Sequence, residues 1–320
     1  MKTAVLLSLA VLGAIPLAHA TDPNPDAKFS PEIAELVKRF TGRGALGDQT
    51  APRPTPAQSL AACKVGDGLS LDIVASEPMV RQPLNMNFDE RGRLWVVQYL
   101  QYPFPAGLKV LKYDEYLRAV FDKVPPPPPN HFKGADRITI LESSKGDGVF
   151  DKAKDFLSDL NIARSVVTGR GGVWVLNPPY LLFYPDKNRD DIPDGPPRVV
   201  LSGFGLEDTH SGANSLAWGP DGWLYGAHGS TCTADIRGVK FLGQAIWRYS
   251  PETDAFEVFA EGGGNTYSLD FDREGRVFSG TNGSPRGLHY PQGGAFEKNW
   301  GKHGPLMNPY SFGWFLHMAH

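Results

Sequence analysis

Four times this chain repeats one short pattern: a strand-like run, a turn carrying glycine, and a second run bearing an aromatic residue. The copies are Phe88-Asp-Glu-Arg-Gly92-Arg-Leu-Trp-Val-Val, Gly171-Gly172-Val-Trp-Val-Leu, Trp218-Gly-Pro-Asp-Gly222-Trp-Leu-Tyr-Gly and Phe271-Asp-Arg-Glu-Gly275-Arg-Val-Phe-Ser. Branched and aromatic residues suit a pleated, half-buried surface, and glycine supplies the positive φ that a tight turn needs. Each copy therefore predicts a β-hairpin. After a longer first interval the copies recur at about 50 residues, the period of β-propeller blades. Further strands are expected between them: Leu71–Ala75, Arg137–Leu141, Tyr180–Tyr184, Arg198–Leu201, Ala245–Tyr249 and Ala255–Phe259. Hairpins and intervening strands together predict an all-β propeller of four-stranded blades over residues 69–320. The long first interval requires an insertion at about 99–136, where Pro125 to Pro129 rule out a central strand.

The first twenty residues have the form of a secretory signal. Lys2 is followed by an apolar run from Val5 to Leu17 and the small-x-small site Ala18-His-Ala20. The run is broken by Gly13 and Pro16 and falls short of the ~20 residues a membrane span needs. The chain is thus expected to be cleaved after Ala20, periplasmic or secreted, with no membrane span in the mature part. Residues 21–68 read as a helical, proline-rich lead-in, with short helices expected at Pro31–Phe40 and about Pro56–Ala62. A formal net charge of −3 argues against nucleic acid as partner. Two cysteines, Cys63 and Cys232, are too few for a disulfide framework. The part from Leu69 onward holds only about five repeats of blade length. It stops in His317-Met-Ala-His320 without a turn, so an incomplete ring, the front of a longer protein, is expected.

Several stretches carry a resemblance: Ala75-Ser-Glu-Pro78, Asp136-Arg-Ile-Thr-Ile-Leu-Glu142, Asn177-Pro-Pro-Tyr-Leu, Gly203-Phe-Gly, Asp208-Thr-His210, Lys302-His-Gly-Pro-Leu and Asn308-Pro-Tyr. With the hairpins at Phe88 and Trp218, they resemble the membrane-bound dehydrogenase family of planctomycete and verrucomicrobial bacteria. That family is related to the six-bladed soluble quinoprotein glucose and sorbosone dehydrogenases. The resemblance implies six blades, oxidation of a sugar or alcohol, and pyrroloquinoline quinone as cofactor. It also implies an electron acceptor such as a c-type cytochrome module outside this chain.

On that resemblance, Asp208-Thr-His210-Ser-Gly is similar to the loop whose histidine takes the proton of the substrate hydroxyl. A neutral imidazole can accept that proton, and Asp208 two residues away is expected to hold it in position. The alternative is a histidine that ties its loop to a backbone carbonyl. Quinone-binding relatives use an Arg–Asn pair. Gly262-Gly-Gly-Asn265 keeps the asparagine but has no arginine, which glycine cannot replace, leaving Arg286 as the substitute. Six of the seven histidines after the leader fall after residue 209, which predicts their convergence on one mouth of the ring. Calcium is the second implied ligand. Asp186, Asn188, Asp190 and Asp194 take positions 1, 3, 5 and 9 of a short loop, the start of a calcium-loop pattern, although the glycine and distal glutamate of that pattern are missing. An Asx-turn cluster explains the same residues without an ion. The expectation is thus an exported propeller dehydrogenase with His210 and Asp208 catalytic and Asn265 and Arg286 at the cofactor. The alternative is a non-catalytic glycan- or protein-binding propeller module of a larger protein.

Overall fold

A computed structural model describes residues 52–114, 118–282 and 288–298. The leader, the helix expected at 31–40, and Arg286 lie outside them. The chain divides after Cys63 into two units. In the first, helix α1 (Pro56–Ala62) starts with a capping box: Thr55 accepts from the Gln58 N–H while the Gln58 side chain accepts from that of Thr55. Proline at the first helical position costs nothing, because its N–H would have no partner there.

The second unit is a succession of antiparallel sheets. The first contains β1 (Pro83–Phe88), β2 (Leu94–Gln98), β5 (Asp136–Glu142) and β6 (Lys152–Leu160), in that order. A small ribbon, β3 (Val110–Tyr113) with β4 (Ala119–Phe121), lies within the long β2–β5 connection. The second sheet runs β7 (Ser165–Gly169), β8 (Gly172–Asn177), β9 (Tyr180–Pro185), β10 (Arg198–Ser202). The third is β11 (Ala213–Trp218), β12 (Leu224–His228), β15 (Ala245–Tyr249), β16 (Phe256–Gly263), with the ribbon β13 (Ala234–Ile236) and β14 (Val239–Phe241) between its second and third strands. The fourth is β17 (Asn265–Phe271), β18 (Val277–Asn282) and β19 (Leu288–Tyr290). Strand β20 (Ala295–Lys298) returns to pair in parallel with β16.

Every repeated hairpin becomes the first two strands of a sheet. In three of them the glycine N–H closes the turn on a carbonyl three residues back, Gly92 on Asp89, Gly222 on Gly219 and Gly275 on Asp272. The β7–β8 turn is tighter. Arg170 and Gly171 both hold positive φ, so Gly171 rather than Gly172 is the turn glycine, and the reversal matches the strands' twist. The first strands β1, β7, β11 and β17 are neighbours in turn, which sets the sheets side by side around a common axis. This is an all-β propeller arrangement, with four blades among the described residues.

Strand periodicity fills the spaces between blades. Val173 and Val175 of β8 face the first sheet and join Trp95, Val97, Ile138 and Ile140. Their alternates, Trp174 and Leu176, face the third sheet and meet Leu216, Leu224 and Trp247. Tyr225, Ala227 and Ile246 then meet Leu269, Val277 and Tyr290 of the fourth. A sheet buried on both faces needs such unbroken apolar runs. One expected strand is absent: Leu71–Ala75 joins no ladder. The segment that follows it instead lays Ala75, Met79 and Val80 on the free face of the first sheet, against Leu94, Val96, Leu141 and Phe150. Its apolar residues are thus used for covering rather than pairing. Among the described residues, no helix is long and apolar enough to cross a membrane.

Trp174 fills the seam between the second and third blades, and its indole N–H donates to the Gly169 carbonyl. Trp174→Ala should cost about 3–5 kcal/mol in urea unfolding, as large cavities in closed cores do.

Candidate functional site

Antiparallel order sorts the connections between two ends of the blades. The turns joining first to second and third to fourth strands lie at one end. The connections from second to third strand, and from each blade to the next, lie at the other, here called the mouth. The loop of Asp208 and His210, between β10 and β11, belongs to the mouth, as does Asn265, which opens β17. The loop from Asp186 to Asp194, between β9 and β10, belongs to the opposite end.

At the mouth the His210 loop is held by its backbone. Arg164, which immediately precedes β7 and is 1% exposed, donates to the carbonyls of Thr209 and His210 and, at 3.1 Å, to the Tyr99 hydroxyl. That hydroxyl donates in turn to the Thr209 carbonyl at 2.8 Å. Burial lifts the Tyr99 phenol to about 12, the Arg164 charge opposing the shift, so it remains a donor at neutral pH. The Nε of Arg164 is buried with no hydrogen-bond partner among the described residues. On the other side, the N–H of Asp208 donates to the buried Cys232 thiol, which donates back to the Asp208 carbonyl. Burial, then the charge of Glu207, pushes that thiol far up, which makes it an inert packing group. Cys63 and Cys232 are both free thiols.

His210 itself is open to solvent, its side chain 74% exposed. The Asp208 carboxylate stands 3.8 Å from Nδ1, too far for a hydrogen bond, and accepts the backbone N–H of His210 at 2.7 Å instead. Its second oxygen accepts from Ser211 and Thr231. Asp208 therefore shapes the loop rather than gripping the ring. Among the described residues the ring meets Tyr102, whose hydroxyl lies 2.6 Å from Nε2 and 2.9 Å from Nδ1. Asn265 lies near this loop through the β12–β15 connection. Its Oδ1 accepts the Ser230 N–H at 2.9 Å, and Thr231, next in the chain, bonds Ser211.

The histidines among the described residues do not converge. His228 is fully buried inside the third blade, its Nε2 3.1 Å from the Cys232 carbonyl. His289 stacks on Phe278 in the fourth blade. His303, His317 and His320 lie outside the described residues. Sequence reasoning missed Arg164, Tyr99, Tyr102 and Asp136. The two tyrosines lay in the stretch set aside as an insertion, and their signal was a pair of phenols just after an apolar strand. Arg164 was marked only by an arginine breaking the apolar run Ile162-Ala-Arg-Ser-Val-Val.

Asp136, wholly buried at the start of β5, accepts the N–H groups of Gln101 and Ala163 and so ties the Tyr99–Tyr102 segment to the residues before Arg164. Burial raises its carboxyl to about 6, against the pull of those backbone donors.

The expected calcium ligands form no metal site. Among the described residues, no three His, Cys, Asp or Glu side chains are placed to hold an ion. Asp186 and Asp190 accept N–H groups of their own loop, Asn188 donates to Asp190, and Asp194 accepts the Lys187 N–H. These are the Asx turns that compete with a metal for the same residues. Nearby, at this end, a cleft of about 280 Å³ between the first two blades is lined by Asp89, Arg93, Arg170 and Asp191. Arg93 pairs there with Asp89 at 2.8 Å and Asp191 at 2.7 Å, so the charges brace the two blades.

Residues 55–306 match the model of a domain family of unknown function, DUF7133. The chain belongs to the DUF7133 family. A search of curated proteins gave no match. Among solved structures, the DUF7133 chain is similar to the PQQ-bound aldose sugar dehydrogenase of Streptomyces coelicolor at 14% identity and a TM-score of 0.46, covering 73% of this chain and 66% of that one. It thus spans about two thirds of that enzyme's length. A Thermus thermophilus protein described as an oxidoreductase (glucose dehydrogenase) is similar at 18% identity and a TM-score of 0.38, covering 72% and 68%. The calcium-binding regucalcin of Agrobacterium tumefaciens follows at 14% and 0.33, covering 66% and 85%. At these scores the likenesses support no inference about chemistry.

Two outcomes are expected here. Asp136 binds its proton more tightly in the folded chain than in the unfolded one, whose carboxyl titrates near 3.9. Its stabilising contribution is complete below about pH 4 and lost as the pH rises through 6, on the order of 2–3 kcal/mol. Urea unfolding of wild type and Asp136→Asn across pH 4–7 should show this slope in the wild type alone. Chelator should leave the melting temperature unchanged, since the Asp186–Asp194 loop satisfies its own carboxylates.

Proposed function

We propose that the mouth of the DUF7133 chain binds a small hydroxylated molecule, a carbohydrate or an alcohol, and that His210 accepts a proton from one of its hydroxyls. One observation carries this reading: the His210 imidazole projects into solvent from a loop whose backbone is fixed from beneath by a buried arginine. A rigid loop with a solvent-facing imidazole is a suitable platform for general-base chemistry. In the oxidising form of the reading, the hydroxyl proton goes to His210 and the hydride of the carbinol carbon goes to a two-electron organic acceptor, supplied as the dye in an assay, which a one-electron cytochrome would afterwards reoxidise. Asp208, 3.8 Å from Nδ1, favours the imidazolium that forms. The resemblance to the planctomycete and verrucomicrobial dehydrogenases supports this form, with six blades, export and a cytochrome-type acceptor as further parts of the proposal.

Pyrroloquinoline quinone does not fit the described residues. Its carboxylates need a cationic clamp. The guanidinium beside this loop, Arg164, is buried and bonded to carbonyls, while Asn265 Oδ1 is engaged by Ser230. Arg286 lies outside the described residues. No step is therefore routed through a quinone. This misfit favours the second reading, a mouth that binds a glycan or partner without chemistry.

Dye-coupled oxidation of sugars and alcohols, with calorimetric binding of the same compounds, separates the two. The oxidising form expects dye reduction that falls at least ~100-fold in His210→Ala. Binding that persists with no dye reduction in the wild type supports the second reading. Wild-type rates in His210→Ala remove His210 from the mechanism.

A further inference from the structure

We propose that the free face of the first blade receives one further sheet of the same repeat, formed by the chain that follows the fourth blade. Met86 and Phe88 then become one wall of a closed seam. The inference rests on the ring of blades and is independent of the chemistry assigned to His210.

In the third and fourth blades, the residues six and four places before the turn glycine pack on the preceding blade. Leu216 and Trp218 stand there relative to Gly222, and Leu269 and Phe271 relative to Gly275. Leu216 and Leu269 are 2% and 7% exposed. Trp218 meets Trp174 of the second blade edge to face, ring centres 5.7 Å apart, and Phe271 meets Tyr225 of the third at 5.0 Å. In the first blade the same two places, counted from Gly92, hold Met86 and Phe88, which are 58% and 68% exposed. They lie opposite Val96 and Leu94, on the face turned away from the second blade. Asn87, between them, points the other way and donates to the Val166 carbonyl of β7 at 2.6 Å. The repeat thus places seam residues on a face for which the described residues supply no second wall.

The closed seams describe the occupant. In each, the ring that receives the aromatic residue of the next blade stands three places after a turn glycine, Trp174 after Gly171 and Tyr225 after Gly222. The occupant is therefore a sheet whose second strand carries such a ring. Leu71–Ala75, beside this face, points to a sheet as well. Among the described residues its backbone makes a single backbone bond, from the Phe150 N–H to the Val74 carbonyl at 2.9 Å. Open backbone groups, with Leu71 and Val74 exposed, form an edge that another sheet completes. The source is the chain itself. The DUF7133 match runs past β20 to residue 306, and a tethered sheet acts at an effective concentration on the order of millimolar, which a second copy does not reach.

Thiol labelling of the full chain tests the proposal, using Phe88→Cys in a Cys63→Ser background, where the remaining thiol, Cys232, is buried. The thiol at position 88 should react at least ~100-fold more slowly in the folded chain than in urea, at every protein concentration. Met86→Cys, a gentler change, should behave alike. A photoreactive benzoylphenylalanine at position 88 should cross-link to residues after Lys298 of the same chain, in a species of monomer mass. Labelling at the unfolded rate in both folded variants overturns the proposal. So does protection that grows with protein concentration together with a cross-linked dimer, which assigns the face to a second copy, or a cross-link to residues before Cys63. Hydrogen exchange decides whether the occupant is a sheet. The Leu71–Ala75 amides should exchange at least ~10-fold more slowly than in a free peptide. Free-peptide rates there, with position 88 protected, overturn the proposal. Labelling is read without substrate, so a wild type that reduces no dye ends the dehydrogenase reading and leaves this test intact.

Discussion

The described blades depend on a line of small polar side chains running through their first strands. Ser165 of β7 donates to Asn85 of β1 at 2.9 Å and accepts the Leu216 N–H of β11 at 2.8 Å. Asn214 of β11 accepts the Ser268 N–H of β17 at 3.0 Å and donates to the Thr266 carbonyl. Irregular registers in β1, β11 and β17, with positive φ at Ser215 and Ser268, leave backbone groups unpaired within their own sheets. A buried backbone group without a partner is costly, so these asparagines and serines stitch one blade to the next. Apolar seams supply the bulk of the burial between blades, and the polar stitches set which strand meets which.

The same economy governs the mouth. Arg164 follows directly from the chain that forms β7 and spends its charge on two carbonyls of a loop from the next blade. A buried cation facing only neutral acceptors is expensive. Here that cost goes into a loop whose backbone is rigid while its imidazole stays in water. Asp136 supports the arrangement from the neighbouring blade, and its raised carboxyl shows how dry that support is. Scaffold and site are continuous: Arg164, which holds the His210 loop, stands next to Ser165, which stitches β7 to both neighbouring blades.

The resemblance in the sequence directed attention to one loop of the mouth and misread the roles within it. Asp208 was expected to hold the ring because it stands two residues from His210. That spacing is also that of an Asx turn, and the backbone N–H won. Tyr102, 108 residues away in sequence, took the ring contact. In the same way, Asp186, Asn188, Asp190 and Asp194 have the spacing of a cation loop, but their side chains are spent on N–H groups of that same loop. Leu71–Ala75 has the composition of a strand, yet it joins no ladder: Leu71 and Val74 stay exposed, and Ala75 with Met79 and Val80 beyond it covers the first sheet.

By itself, the sequence determined the hairpins, their turns, five of the six intervening strands and the repeat that makes them blades. All of these follow from local rules: alternation of side chains, glycine at positive φ, and apolar runs for sheets buried on both faces. Only the tertiary structure decided the neighbours of His210 and the burial of His228 and Arg164. Those depend on which loops a ring of sheets brings to the same end. No local pattern encodes that distance, because it is set by the sum of many strands packing around one axis.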